Sequence, residues 1–432
     1  MKNAQITLFI IIGALVLIAF GITFYIGTAM NKRIQTAETQ QHIELGIQPI
    51  QDSVNTCLSL ATAEGLKLIA RQGGILYDSQ GGTTPDFIEG EGKQYVTYAD
   101  AELGTLKVQF LIEPPEGNVG TLFYSQPPKY PFEGFPYAGE EKIFNGYYGI
   151  SKLSPLYKIS AEGEKVEGSI QENLEKYIAK RTAQCADWTQ FEKQGYQITS
   201  GSANVALVFA QKQEQFAGEQ YISTELNWPL DITTPGGDKT KLEHFAIREN
   251  VRLATVYYAV KTIIDGDVTD ISYTPRGNEQ ITVTTIPYGE NTFVIVKDEQ
   301  SLLDGKQFEF WIPRKNRRPA LWNIEKPDNV FHITPEGKGT EITIHGAELQ
   351  FNDPCPEKQN PYVIQLNASE PDEQQVTYSV HIPGTTSNEI PMDALTFGAY
   401  SITVFAKDNS KNPEDWFDSQ EIPLQVTLCP VR

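Results

Sequence analysis

The longest apolar run of the chain lies near its beginning. No charged residue occurs over the 21 positions from Ile6 to Ile26. At about 1.5 Å of rise per residue, this run spans about 30 Å, which is the thickness of a bilayer core. The pattern predicts one N-terminal transmembrane helix over residues 1–30, followed by a polar stalk over residues 31–42. The anchor residues are Ile6, Phe9, Ile12, Leu17, Phe20 and Ile26.

The same run has two other interpretations. A cleaved secretion signal has an apolar core of roughly 7–15 residues and a basic start. The run is longer than that, and Lys2 is the only basic side chain before it, although Gly27-Thr28-Ala29 offers small residues for a peptidase. A helix that forms the core of a surface filament is the third interpretation. The length of the run favours the permanent anchor.

Helical spacing follows the stalk in three places. A first helix begins near Pro49 and ends at Gly73-Gly74, a second covers residues 169–195, and a third runs from Lys239 to Ile264. Their apolar faces are Ile50, Val54, Cys57, Ala61 and Leu68; then Ile170, Leu174, Tyr177, Ile178, Cys185 and Trp188; then Leu242, Phe245, Leu253, Tyr257, Val260 and Ile264. Short alternating segments between these helices indicate strands.

Further along the chain the apolar period changes to two residues. The segments ITVTTI, NTFVIV and QFEFWI alternate as strands do, and five similar segments follow with turn residues between them. The predicted fold class is an α+β ectodomain followed by an all-β Ig-like sandwich, with one N-terminal transmembrane helix. The α+β domain covers residues 43–266, a small β-domain and linker cover 267–327, and the sandwich covers 328–432. We expect the sandwich to fold on its own.

A proline-rich and aromatic segment interrupts the α+β domain at residues 124–157. It has no helical or strand period, and prolines block ladder hydrogen bonds, so it predicts an irregular loop. The loop could form a binding platform, or its rings could pack against its own domain. The candidate binding residues are Tyr130, Phe132, Phe135, Tyr137, Tyr147 and Tyr148.

The four cysteines are Cys57, Cys185, Cys355 and Cys429. An even number behind an apolar N-terminal segment is typical of disulfides formed outside the cytoplasm. One pair lies in each predicted domain, which predicts the bridges Cys57–Cys185 and Cys355–Cys429. Four unconnected buried thiols are the alternative. No C-x-x-C spacing is present, so the sequence offers no zinc signature.

Charge limits the partners of the protein. The formal net charge is -20, from 55 acidic and 35 basic residues, which argues against nucleic acid as a partner. Oxygen-bearing residues crowd one segment near the C-terminus and suit Ca²⁺, although an ordinary acidic loop would look the same. They are Asp408, Asn409, Asn412 and Asp415. The one basic cluster, residues 314–318, predicts a solvated patch between domains or a docking surface for an acidic neighbour.

Catalytic signatures are missing from the sequence. There is no H-E-x-x-H, no G-x-S-x-G and no P-loop motif, and the five histidines are scattered. We therefore expect a protein that is not an enzyme and has no cofactor besides the Ca²⁺ candidate. A glycan-active enzyme is less favoured, because it needs two carboxylates about 5–9 Å apart across a groove.

Three resemblances point to a microbial cell surface. Gln5 and Thr7 open the apolar run as in archaeal pilin-type proteins with class III signal peptides, although Phe9 stands where their pattern has an acidic residue. Residues 1–325, with the stretches QITLFIIIG and NTCLSLATAEGLKLIARQGG, resemble uncharacterised surface proteins of small-genome archaea. The stretch FGAYSITVFAKDNS resembles the late strands of Ig-like adhesion modules, which implies that Tyr400 packs in the core and that Asp408-Asn409 starts a loop.

These observations together predict a location and a function. We expect a single-pass cell-membrane protein with an extracellular ectodomain that acts in structure or adhesion. The expected partners are the lipid bilayer and other surface proteins or glycans, with self-association as a further option. A pilin-like filament subunit is the alternative. Asn367-Ala368-Ser369 is a candidate glycosylation site, which fits an extracellular position.

Overall fold

The computed structural model describes most of the chain beyond residue 46. The described residues are 47–87, 95–113, 118–119, 122–123, 149–209, 221–270, 273–317, 319–322, 324, 327, 331–355, 361–391, 400–408 and 417–429. The predicted anchor, the stalk and the six aromatic residues of the candidate binding loop lie outside them. None of the helices in the described ranges has the length and apolarity to cross a bilayer.

Strands outnumber helices in the part of the chain that the structure describes. The four α-helices are α1, residues 47–71; α2, Ile170–Cys185; α3, Thr189–Lys193; and α4, Leu253–Thr269. The strands before residue 320 are β1, Tyr95–Asp100; β2, Gly104–Gln109; β3, Ile112–Glu113; β4, Asn118–Val119; β5, Leu122–Phe123; β6, Ile150–Ser151; β7, Gln197–Ser200; β8, Asn204–Phe209; β9, Ile222–Thr233; β10, Lys239–Glu249; β11, Ile281–Tyr288; β12, Asn291–Leu303; and β13, Lys306–Arg314.

Ten further strands follow in the described residues from 320 onwards. They are β14, Ala320–Leu321; β15, Phe331–Ile333; β16, Glu341–His345; β17, Glu348–Asn352; β18, Tyr362–Gln365; β19, Ala368–Ser369; β20, Thr377–His381; β21, Tyr400–Lys407; β22, Phe417–Leu424; and β23, Val426–Leu428. The chain divides into two compact units. The first holds the described residues up to Ala61 together with Ile178–Ala206 and Glu225–Ile247, and the second holds Thr62–Tyr177, Leu207–Thr224 and Arg248–Arg432.

The first unit contains one of the two predicted disulfides. The Cys57–Cys185 bond joins α1 to the end of α2, and each cysteine lies on the helical stretch that its spacing predicted. Strands β10, β9 and β7 are neighbours in this order, and β8 also pairs with β9. The Trp228 indole donates a hydrogen bond of 2.9 Å to the carbonyl of Gly201, which ties β9 to the loop before β8.

The predicted third helix is wrong over its first half. Residues Lys239–Glu249 form strand β10, and only Leu253–Thr269 is helical. The turn at Pro235-Gly236-Gly237 reverses the chain after β9, and Gly237 has a φ of +86°, so the following residues pair with β9 as a hairpin. The spacing of Leu242 and Phe245 matched a helical face, but strand pairing overrides such a short match.

A five-stranded sheet forms the centre of the second unit. Its order is β11-β12-β13-β3-β6, and β13 and β3 run parallel. Helix α4 packs against β6, β12 and β13 with its buried side chains, among them Val260 and Ile264. Both hairpin turns of β11-β12-β13 hold glycines with positive φ, Gly289 and Gly305.

The C-terminal part of the second unit is sandwich-like. Strands β16-β17-β18 form one three-stranded sheet and β20-β21-β22 form another, and buried residues of both sheets share one core. Strand β15 pairs in parallel with β23, and the second predicted disulfide, Cys355–Cys429, is present. Tyr400 is partly buried and packs against this core. The core also includes Leu321 and Ile324, which precede the predicted start of the sandwich at residue 328.

Candidate functional site

A cleft of 290 Å³ in the second unit is the candidate functional site. Helix α1 contributes Lys67 and Arg71, which lie four residues apart and therefore on one helical face. The turn between β1 and β2 contributes one wall, and the start of β13 contributes the other. The complete lining is Lys67, Arg71, Ala99, Asp100, Ala101, Glu102, Leu103, Leu303, Lys306, Gln307, Phe308, Glu309 and Trp311.

The sequence of the turn between β12 and β13 explains how these strands form one wall of the cleft. The two strands are joined by Asp304-Gly305, and both residues have positive φ, at 49° and 75°. An Asp-Gly pair favours this two-residue turn, because its twist matches that of the strands. The turn brings Asp304 within 2.8 Å of the Lys67 Nζ.

Arg71 is the central cation of the cleft. Its Nη1 lies 2.5 Å from Glu309 Oε2, and its Nε lies 3.6 Å from Asp100 Oδ2. Its guanidinium also lies over the Trp311 ring, 4.7 Å from the centroid. Tyr98 stacks on the same ring, with the ring centroids 5.1 Å apart. Its hydroxyl donates a hydrogen bond to the backbone carbonyl of Arg71. Arg71, Trp311 and Tyr98 therefore hold one another in place.

A second set of charges surrounds Glu102 at the rim. Glu102 forms ion pairs with Lys67 and Lys306. The distance from Lys67 Nζ to Glu102 Oε2 is 3.0 Å. Hydrogen bonding from Lys306, and then from Lys67, lowers the pKa of Glu102 to about 2. The hydrogen bond that Lys67 donates to Asp304 raises the pKa of Lys67 above its ordinary value. The rim therefore keeps its charges over the whole physiological pH range.

Two carboxylates of the cleft, Glu102 and Glu309, have lowered pKa values. Burial alone would raise the pKa of Glu309, but the nearby Lys297 and Arg71 outweigh it and hold the pKa below its ordinary value. Lys297 Nζ lies 2.6 Å from Glu309 Oε1. A general acid in such an enzyme needs a raised pKa. Glu102 and Glu309 both remain ionised, so the cleft suits binding by charge pairing and aromatic contact.

The other end of β13 enters a buried ion cluster. Arg314 and Arg317 are fully buried, and they share the carboxylates of Asp267 and Asp372, which are also buried. Arg314 Nη1 lies 2.8 Å from Asp267, and Arg317 Nη2 lies 2.8 Å from Asp372. Burial opposes the charged form of Arg317, but the two aspartates outweigh this and raise its pKa. The prediction of a solvated basic patch is therefore wrong for Arg314 and Arg317.

The buried cluster extends into the sandwich through amide side chains. Asn316 Nδ2 donates a hydrogen bond of 2.8 Å to Asp408, and the Gln374 Nε2 donates one of 2.6 Å to Asn316 Oδ1. Glu370 accepts hydrogen bonds from the backbone amides of Asp372 and Gln374. Burial, and then the charge of Asp372, raises the pKa of Glu370 to about 8.

The structure brings only some of the predicted site residues into view. Among the Ca²⁺ candidates, Asp408 is buried and faces Asn316, while Asn409, Asn412 and Asp415 lie outside the described residues. The Ca²⁺ site stays a prediction. Asn367 of the glycosylation candidate is exposed. Sequence reasoning missed the cleft, because its lining comes from segments more than 200 residues apart.

No protein-family model matches the chain, and no curated protein matches it. Its function is therefore inferred from its own residues and their geometry.

Proposed function

We propose that this chain is a membrane-anchored extracellular structural or adhesion protein that mediates cell-surface or cell-cell contact. In this proposal, Ile6 to Ile26 cross the membrane once, and the region beyond Arg33 lies outside the cell. The observation that carries the proposal is the pairing of all four cysteines in two disulfides. Disulfides persist in oxidising environments, so the pairing favours export of the region that holds them.

The strand pattern of the C-terminal part supports the same proposal. Two three-stranded sheets around one core, closed by Cys355–Cys429, fit an Ig-like sandwich. Many cell-surface domains share this architecture. The Ig-like assignment also agrees with the position of Tyr400, whose ring packs against the sandwich core.

We infer that the cleft around Trp311 is the surface that contacts a partner. Trp and Arg dominate the binding energy of many protein interfaces, and aromatic rings also stack on sugars. Arg71 and Trp311 are held in place before any partner arrives, which lowers the entropy cost of binding. The partner class is a surface protein or a glycan that carries charged groups.

A pilin-like subunit of a surface filament is the second candidate. Gln5 and Thr7 favour it, since they match the start of the class III pattern. In that case the apolar run packs in a fibre core, and the ectodomain lines the outside of the fibre.

Topology is the first test. Intact cells that carry the full chain with a C-terminal epitope are treated with protease, and the membranes are then extracted with alkaline carbonate. We expect loss of the epitope in intact cells and retention of the untreated protein in the membrane pellet. Protection of the epitope, or release of the protein by carbonate, would contradict the anchored surface position. Long fibres that contain the chain would favour the filament instead.

Adhesion is the second test. Beads coated with detergent-solubilised full chain are mixed with cell envelopes, and bound envelopes are counted for wild type and for the double variant Arg71→Ala/Glu309→Gln. The matched control is Lys165→Ala/Glu167→Gln, which removes an exposed ion pair of 3.4 Å with the same charge change. We expect at least a tenfold loss of binding for the cleft variant only. Equal binding by all three proteins excludes the cleft, and no binding by wild type contradicts adhesion.

A further inference from the structure

Four side chains with zinc-type donor atoms meet at one end of the sandwich. His332 lies on β15, Asp353 and Cys355 follow β17, and Cys429 follows β23. The backbone fixes their positions, because β15 pairs in parallel with β23 and the Cys429 amide donates a hydrogen bond of 3.0 Å to the Ile333 carbonyl. None of the four lies within a short sequence motif, so the sequence pattern gave no sign of the group.

The donor atoms are close to the spacing of a metal site. One donor atom each from His332, Asp353 and Cys355 lie within 4.8 Å of one another, and His332 Nδ1 lies 2.7 Å from Asp353 Oδ2. Zinc bonds of about 2.0–2.3 Å place tetrahedral ligands roughly 3.3–3.8 Å apart. Small side-chain movements would therefore bring these donors into zinc geometry. Cys429 adds a fourth donor, since its sulfur is bonded to that of Cys355.

The surroundings also suit a closed structural site. The side chains of His332 and Asp353 are 7% and 11% exposed, and both cysteines are buried. Asp353 Oδ1 accepts a hydrogen bond of 2.8 Å from the Cys355 amide, which fixes its carboxylate beside the sulfur. Structural zinc sites hold four protein ligands and no open position.

We propose that reduction of the Cys355–Cys429 disulfide turns this group into a zinc site with the ligands His332, Asp353, Cys355 and Cys429. In the disulfide form neither sulfur is a thiolate, and the thiolate is the metal ligand. A dithiol reductant supplies two electrons and two protons, which cleave the S–S bond and leave two thiols, while the reductant becomes a disulfide. Zn²⁺ then displaces both thiol protons to solvent. The sandwich would keep a crosslink at this end in both redox states.

The test measures metal binding by the full chain in detergent. The protein is reduced with a phosphine under argon, desalted and titrated with Zn²⁺ or Co²⁺, with the oxidised protein alongside. We expect one metal ion per reduced chain, and with Co²⁺ the thiolate charge-transfer absorption and the strong visible bands of a tetrahedral site. The oxidised chain should show neither signal.

Variants assign the ligands. His332→Gln and Asp353→Asn keep both thiols and should each lower the affinity of the reduced chain for zinc at least tenfold, while His345→Gln, on the exposed side of β16, should not change it. Circular dichroism follows folding in every sample. The proposal is overturned if the reduced chain binds no zinc, if His332→Gln binds as tightly as wild type, or if the reduced chain unfolds and zinc fails to restore its fold.

Discussion

Strand β13 carries two groups of ion pairs that differ mainly in their exposure to water. At its start, Glu309 meets Arg71 and Lys297 in an open cleft, whereas at its end Arg314 joins Arg317, Asp267 and Asp372 with no exposed surface. The chemistry of both groups is the same, but buried charges lose their hydration and depend on one another, while exposed charges keep most of their water. One strand therefore contributes to an open cleft at one end and to a buried attachment to the sandwich at the other.

The largest expected effect is the loss of one charge from the buried cluster. Arg317→Ala leaves Asp267 and Asp372 short of a partner, which should lower the free energy of unfolding by about 3–5 kcal/mol. Asp372→Ala should cost a similar amount. Denaturant unfolding followed by near-UV circular dichroism measures the change. The matched control is Arg276→Ala, an exposed arginine that should change stability by less than about 0.5 kcal/mol. If Arg317→Ala and Arg276→Ala lowered the free energy of unfolding equally, burial of the charge would not explain the loss.

A pH dependence should come from Glu370 beside the buried cluster. Its pKa of about 8 in the folded state lies above the ordinary value of 4.5, so the folded chain keeps a proton that the unfolded chain releases. The stability from this group is fully present below about pH 4.5 and is lost as the pH rises to about 8. Glu370→Gln should remove this slope and stabilise the protein at pH 8 by on the order of 4 kcal/mol. The same slope in the variant would assign the proton to another group.

Loss of the Arg71 charge from the cleft should lower the free energy of unfolding by a smaller amount, and this amount should depend on salt. Arg71→Ala removes two partly exposed ion pairs and a cation-π contact, which should cost about 1 kcal/mol at low ionic strength. The loss should shrink between roughly 0.05 M and 1 M salt, because exposed charges are screened. The loss for Arg317→Ala should stay constant over this range. Unfolding curves at both salt concentrations measure this loss of stability. A loss for Arg71→Ala that does not change with salt would contradict the prediction.

The smallest effect concerns the rim. Lys306→Ala should raise the pKa of Glu102 towards its ordinary value, because the hydrogen bond from Lys306 is the largest cause of its lowering. Global stability should not change, since both side chains are exposed. Titration of the Glu102 carboxyl by NMR measures the shift, and Lys338→Ala, another exposed lysine, serves as the control. An unchanged pKa would mean that Lys67 alone holds Glu102.

Local patterns in the sequence predicted the features that depend on neighbours along the chain. Helical spacing correctly put Cys57 on a buried face, and alternation located β11, β12, β13 and most strands of the sandwich. The spacing also put Cys185 on the buried face of the second helix, but this residue is exposed at the end of α2. The same reasoning failed for residues 239–249, where a hairpin partner decided the structure. The sequence also predicted that Arg314 and Arg317 are solvated. Their ion-pair partners, Asp267 and Asp372, are distant in the sequence, so no local pattern indicates the pairing. The cleft escaped prediction for the same reason.

The parallel pairing of β15 with β23 has a consequence for synthesis. Phe331 pairs with Val426, so the first strand of this ladder waits for a partner made about 95 residues later. At roughly 5–20 residues per second, a ribosome needs about 5–20 s to make that interval. During this time the apolar side of β15 and the Cys355 thiol are open to wrong partners. A chaperone or thiol oxidase that acts on the emerging chain would therefore be needed mainly between the synthesis of β15 and that of β23.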